Sequence, residues 1–322
     1  MVLSGLLCIL LIFLLWQKAS TVPDFTQTLQ DVATIFISIS GFLAAIIMVY
    51  LVASAMGLKS NREGVIDNLS KITQKMHNFR SIIELLIQSK MWLPGLKEYI
   101  DDEFSGLNFF DVKEFYKGKS KLAIEFLQEN HPYQDTENLY LELKSLLMTS
   151  SREKNLPENI KYPKVYNKDI VEKWLEHKCS SGLWYYFGYK YGTFKEALDY
   201  NAVFERHQEK IMTLANAIDS TAFEDSSFNE VFLSKLGEYM SNEVLPKLFQ
   251  FREKIDRKMP RIIRYLYTIF LLLVVFGVLM PLAYLLFSLP TLALIISFSF
   301  VISVIFFITI SLYPFLSREV NN

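Results

Sequence analysis

Apolar residues crowd both ends of the chain, while between them they recur at spacings of three and four. No charged residue falls between Val32 and Leu58, and Arg264 is the one charge from Ile262 to Ser317. A helix rises about 1.5 Å per residue and needs roughly 20 apolar residues to cross a hydrocarbon core of about 30 Å. The pattern therefore predicts spans at 32–58, 262–287 and 291–316, the last two joined by a turn at Ser288-Leu289-Pro290. Pro281 should kink the third span, because it lacks an amide donor and crowds the preceding turn. A shorter apolar run, Val2 to Trp16, has no basic residue before it and no Ala-x-Ala after it. It is expected to be retained as a short transmembrane or signal-anchor helix over 1–17.

The middle region, 59–261, alternates polar and apolar positions with helical period. Val65, Leu69, Ile72, Met76, Phe79, Ile83 and Leu86 form one apolar face that continues the second span as a long amphipathic helix, with Pro94-Gly95 as the expected stop. Further helices are predicted over 119–130, 135–150, 168–180 and 194–219, with 155–167 as a loop containing Pro157 and Pro163. A face from Phe228 to Met240, an interruption at Pro246 and a joint at Pro260 lead into the third span. No alternating strand pattern or internal repeat occurs, so the expected class is all-α: four membrane spans with a large helical domain inserted between the second and third. Basic residues crowd the domain side of the spans: Lys59, Arg62, Arg252, Lys254, Arg257, Lys258, Arg261 and Arg264. The positive-inside tendency then predicts a cytoplasmic domain and both termini inside.

Composition agrees with a membrane protein: 51% of residues are hydrophobic. Two cysteines, Cys8 and Cys179, cannot build a disulfide framework or a four-cysteine zinc site. His77, His131, His177 and His207 are scattered, and no phosphate loop, His-Glu-x-x-His or Gly-x-Ser-x-Gly motif is present. The expectation is a protein that is not an enzyme and holds no metal or cofactor. The absence of ionisable groups inside the spans argues against a proton- or sodium-coupled transporter, whereas a pore can work with hydroxyls, carbonyls and an apolar constriction.

Two places remain as candidate sites. On the second span Gly41, Ala45, Val49, Ala53 and Gly57 step by four and offer a helix-packing strip. Ser40, Ala44 and Ser54 lie on the opposite side as pore-lining candidates, or as a second packing face. In the domain, the aromatic run from Gly182 to Gly192 contains Trp184, Tyr185, Lys190 and Tyr191, and Lys117, Lys119 and Lys121 form a nearby basic cluster in sequence. Aromatic faces beside a cation suit base stacking, and core packing is the competing reading. All but Lys18 and Arg318 of the 33 basic residues, and all but Asp24, Asp31 and Glu319 of the 34 acidic ones, lie between Lys59 and Arg264. This balance disfavours nonspecific nucleic-acid binding and leaves room only for a short anionic ligand.

The segment Ser38-Ile39-Ser40-Gly41-Phe42-Leu43-Ala44-Ala45, the helix continuing through Arg80, and a helical domain held between paired spans resemble the membrane effectors of bacterial antiphage defence. The nearest likeness is to the channel-forming effectors of Hailong systems. That resemblance implies a homo-oligomer of the bacterial inner membrane, a tetramer by analogy, which depolarises the cell. It also implies control by an oligonucleotide from a partner nucleotidyltransferase. The alternative is a membrane-anchored helical scaffold without a pore.

Overall fold

The computed structural model describes the chain except Met1, Pro23, Lys119, 130–133, Pro157, Glu158, Arg257, Lys258, Ser288, Asn321 and Asn322, and it describes the backbone alone for Val2 and 312–320. The candidate ligand Lys119, His131, and parts of the expected 155–167 loop and 288–290 turn thus lie outside the described residues. The class is all-α; among the described residues the β-structure is a lone antiparallel bridge, Trp92 with Leu198. Two compact units emerge, 1–61 with 258–322, and Arg62–Arg257.

The first unit contains apolar helices at Val2–Thr21, Phe25–Gln88 and Leu292–Val320 and a fourth run from Arg261 to Phe287. Each is long and apolar enough to cross a membrane. The first runs to Thr21, beyond the expected 17, and the Ser20 and Thr21 hydroxyls there donate back to the carbonyls of Trp16 and Gln17. The run 261–287 is α-helical over Arg261–Leu272, π-helical over Leu273–Leu279 and α-helical again over Met280–Phe287. The disturbance expected at Pro281 thus takes the form of a wide π turn just before the proline. Pro246 repeats the device, following the π segment Met240–Val244.

The second unit is built around the amphipathic half of the Phe25–Gln88 helix, which buries Leu69, Met76, Phe79, Ile82, Ile83 and Leu86. Burial of this face stabilises the helix at about 25 cal/mol per Å² of apolar surface removed from water. The helix ends at Gln88, before the expected Pro94-Gly95 stop. Its last carbonyls are claimed early: Ser89 Oγ (2.7 Å) and Trp92 Nε1 (3.0 Å) both donate to Leu86 O. The chain then pairs with 197–199, through Leu93 N to Ala197 O and Asp199 N to Met91 O. The same pairing corrects the expected helix over 194–219. Residues from Ala197 turn through a short 3-10 segment, Tyr200–Ala202, and the helix is Glu205–Ile218.

Shorter helices pack around this centre. Gln134–Leu146 buries nearly its whole circumference, including Glu142 and Lys144. Lys168–Glu176 contributes Ile170, Val171 and Trp174. The aromatic run forms one helical stretch: Ser181–Tyr185, a π segment over Tyr186–Lys190, and Tyr191–Phe194.

Candidate functional site

On the long helix the two small-residue faces differ in burial within the protomer. Ser40 (1% exposed) and Ala44 (4%), the pore-lining candidates, are buried inside the first unit, and Ser54 is half-buried. Ala44 packs in a cluster with Ile269, Leu273, Val301 and Val304. Ser40 faces Gly277, where an added Cβ would stand 2.5 Å from the Ser40 Cβ. This is a close helix crossing that only glycine admits. Ala45, Ala53 and Gly57, by contrast, are exposed, and Gly41 is half-buried, with Val278 Cγ2 3.8 Å from where its Cβ would be. The Gly41–Gly57 strip is the face the protomer leaves open, and spacing alone did not say which of the two faces would be buried within one chain, since both are small.

In the second unit the aromatic helix divides its side chains by face. Trp184 is half-buried and Tyr185 exposed, and both meet the exposed Tyr189, at ring-centroid distances of 5.1 and 6.5 Å. Lys190 is exposed beside them in sequence. Tyr191 instead turns to Phe187 and Tyr200, half-buried in the core. Burial pushes its phenol up to about 12. The stacking candidates are therefore not one group: Trp184 and Tyr185 share a surface with Tyr189, whereas Tyr191 belongs to packing.

The basic cluster is not brought to that surface by any hydrogen bond, ion pair or ring contact among the described residues. Lys117 is held by Glu114 (3.0 Å), and Lys121 is exposed on its own helix, Lys121–Gln128. Glu114 also pairs with Lys173, and with His177 Nε2 at 3.2 Å. Burial raises the Glu114 carboxyl, but these donors outweigh it and hold it at about 2. Glu114, Glu176 and His177 have ligand atoms close enough to share a metal ion. Lys173 Nζ, however, bonds both carboxylates and Lys117 bonds one, so two ammonium groups already supply the positive charge. The arrangement is an ion-pair network joining the turn at 115–117 to the helix Lys168–Glu176.

Two buried polar centres escaped the sequence reading. Arg80, fully buried, donates to the carbonyls of Leu146 (2.9 Å), Leu147 and Lys161 (2.6 Å) and to the Tyr166 hydroxyl (3.2 Å), and the Tyr162 and Tyr166 rings each lie 5.4 Å from its guanidinium carbon. Leu146 and Leu147 sit at the end of the helix Gln134–Leu146, where carbonyls lack amide partners and the helix dipole is negative. Glu142 accepts from Gly182 N at 2.9 Å, at the start of the aromatic helix, and burial raises its carboxyl to about 7. Glycine is required there, because a Cβ on Gly182 would come within 2.5 Å of Glu142 Oε2. Cys179 is buried beside Ser145, and burial pushes its thiol up. Both cysteines are free.

The chain matches no protein-family model, no curated protein and no solved structure.

Proposed function

We propose that the chain is a multi-pass membrane protein whose cytoplasmic helical domain responds to a ligand or partner and controls a homo-oligomeric ion path. A bacterial inner-membrane location and a part in antiphage defence follow from the resemblance of the long helix and its inserted domain. The observation that carries this reading is the division of labour along Phe25–Gln88. Its apolar half keeps Ala45, Ala53 and Gly57 clear of the protomer's own bundle, and the apolar face of its amphipathic half is buried in the core of the second unit. An exposed strip of small residues in a span lets a neighbouring backbone approach closely, as subunit assembly requires. Four spans without an ionisable side chain at mid-depth fit passive conduction better than coupled transport. In the domain, the Trp184–Tyr185–Tyr189 face with Lys190 is the surface suited to a short oligonucleotide; Lys117 is already neutralised by Glu114.

The test is potassium efflux and dye release from liposomes containing the purified full chain, with and without short synthetic oligonucleotides, alongside Ala53→Cys cross-linking. Efflux accompanied by cross-linked oligomers is expected. A cross-linked oligomer that stays ion-tight under every addition overturns the channel reading.

The second reading, a membrane-anchored scaffold, gains from one finding: the mildly polar face of the long helix, Ser40 and Ala44, is taken up by packing within one chain. Replacing the spans with unrelated anchors separates the two. A scaffold keeps its cellular phenotype after that exchange, and a channel loses it.

A further inference from the structure

In the first unit a cavity of about 440 Å³ opens between three apolar helices. Its walls are the first turns of Val2–Thr21 (Ser4, Gly5, Cys8), the first half of the 261–287 run (Tyr265, Thr268) and the middle turns of the last helix (Ser303). The rest of the lining is aliphatic and aromatic. The hydroxyls facing it are already engaged: Thr268 Oγ1 donates to Arg264 O (2.9 Å), Ser303 Oγ to Ser299 O (2.7 Å), and Tyr265 pairs with Ser311 (2.7 Å). An occupant therefore finds an apolar wall of the size of a small-ligand pocket, with hydroxyls turned to partners of their own.

Two arginines lie just outside the cavity lining. Arg261 and Arg264 stand one helical turn before Tyr265 and Thr268, on the same stripe of the helix, and both are exposed. Neither forms an ion pair among the described residues. Guanidinium groups that lie beside hydrocarbon at the start of a span meet phosphate, and anionic lipids enrich the cytoplasmic leaflet. The geometry points to a built site for one anionic phospholipid, with an acyl chain in the cavity between the first helix and the two carboxyl-terminal ones and its phosphate at Arg261 and Arg264. This inference rests on the membrane placement proposed above and not on ion conduction, so a protein that holds the lipid and never conducts leaves it standing.

Native mass spectrometry of the full chain tests it, after incubation with equal amounts of phosphatidylglycerol and phosphatidylcholine of the same acyl chains. Wild type is expected to retain one phosphatidylglycerol per chain in preference to phosphatidylcholine. Gly5→Phe should lose the adduct while keeping the same helicity by circular dichroism, since a side chain at position 5 grows into open space with nothing within 4 Å of its Cβ. Arg261→Gln with Arg264→Gln should keep a lipid and lose the headgroup preference. Equal adducts in wild type and Gly5→Phe, or no headgroup preference in wild type, overturn the proposal. A second measurement needs no variant: Cys8 lines the cavity and Cys179 is buried, so alkylation reports on Cys8. Phosphatidylglycerol at about tenfold over its dissociation constant should slow alkylation about tenfold. An unchanged rate, or protection seen only in oligomeric fractions without added lipid, overturns it, the latter in favour of a second copy covering the groove.

Discussion

Ser297 donates its hydroxyl to the carbonyl of Phe276, the acceptor that Pro281 leaves without an amide. In a π turn each amide bonds the carbonyl five residues back, as Met280 N does with Val275 O. The next amide in that register would be residue 281, and proline has none. A serine on the last helix thus completes a hydrogen-bond ladder broken on its neighbour.

Removing that donor should destabilise the apolar unit only where the proline is present. Ser297→Ala is expected to cost about 0.6 kcal/mol, the average for side-chain hydrogen bonds between apolar helices, and at most about 1.7 kcal/mol. In a Pro281→Ala background the cost should nearly vanish, because the helix then supplies its own amide. A double-mutant cycle from unfolding in detergent measures the coupling, and additive effects would contradict this account.

Gly277 and Ser40 make a second coupled pair. Gly277→Ala places a Cβ 2.5 Å from the Ser40 Cβ and 2.8 Å from its Oγ, and should cost about 1 to 3 kcal/mol. Ser40→Gly in the same chain should recover most of it. Ser40 Oγ is buried with no hydrogen-bond partner among the described residues, so Ser40→Ala alone should be neutral or stabilising. The buried position also predicts that Ser40→Cys resists a water-soluble maleimide. Rapid labelling would return Ser40 to an aqueous lining.

Much of the architecture was open to a reading of the sequence, because long charge-free runs and period-three-and-four faces report burial directly. What escaped it depends on partners distant in the chain. Arg80 falls on the stripe of Met76, Ile83 and Ile87, so a cation in core register was the available signal, but its acceptors, Leu146, Leu147 and Lys161, are placed only by folding. Which small face of the long helix turns inward was undecidable from spacing, since the decision lies with Gly277. The aromatic run suggested one site, yet the π turn at Tyr186–Lys190 rotates Tyr191 away from Trp184 and Tyr185 and into contact with Tyr200.

Arg80 should tolerate no replacement. Arg80→Met leaves three carbonyls without their donor inside the core, and Arg80→Lys keeps the charge but cannot fork to them. Each variant should lose about 3 kcal/mol or more, since each buried carbonyl left without its donor costs about 1 to 3 kcal/mol. Thermal melts and limited proteolysis of the full chain check this, with cleavage expected in the 147–166 segment that Arg80 ties down. A lysine variant that melts with wild type would show that the forked geometry is not needed.

Glu142 should give the second unit an unusual pH dependence. Its carboxyl rises from an ordinary 4.5 to about 7, chiefly through burial, with the Gly182 amide and the charge of Lys113 opposing. Because the folded state favours the proton, the stabilising contribution is complete below about 4.5 and is lost as pH rises through about 7. Over that window the loss is on the order of 3 kcal/mol. Glu114 and Asp219 act in the opposite sense. Three donors hold Glu114 low against its burial, and the Tyr239 and Thr221 hydroxyls hold Asp219 well below the carboxylate range, so their contributions vanish only as the solution becomes acidic. The melting temperature should therefore fall between pH 5 and 8 in wild type, and Glu142→Gln, which still offers an acceptor to Gly182 N, should flatten that fall. Parallel pH profiles for the two proteins would assign the slope to another group.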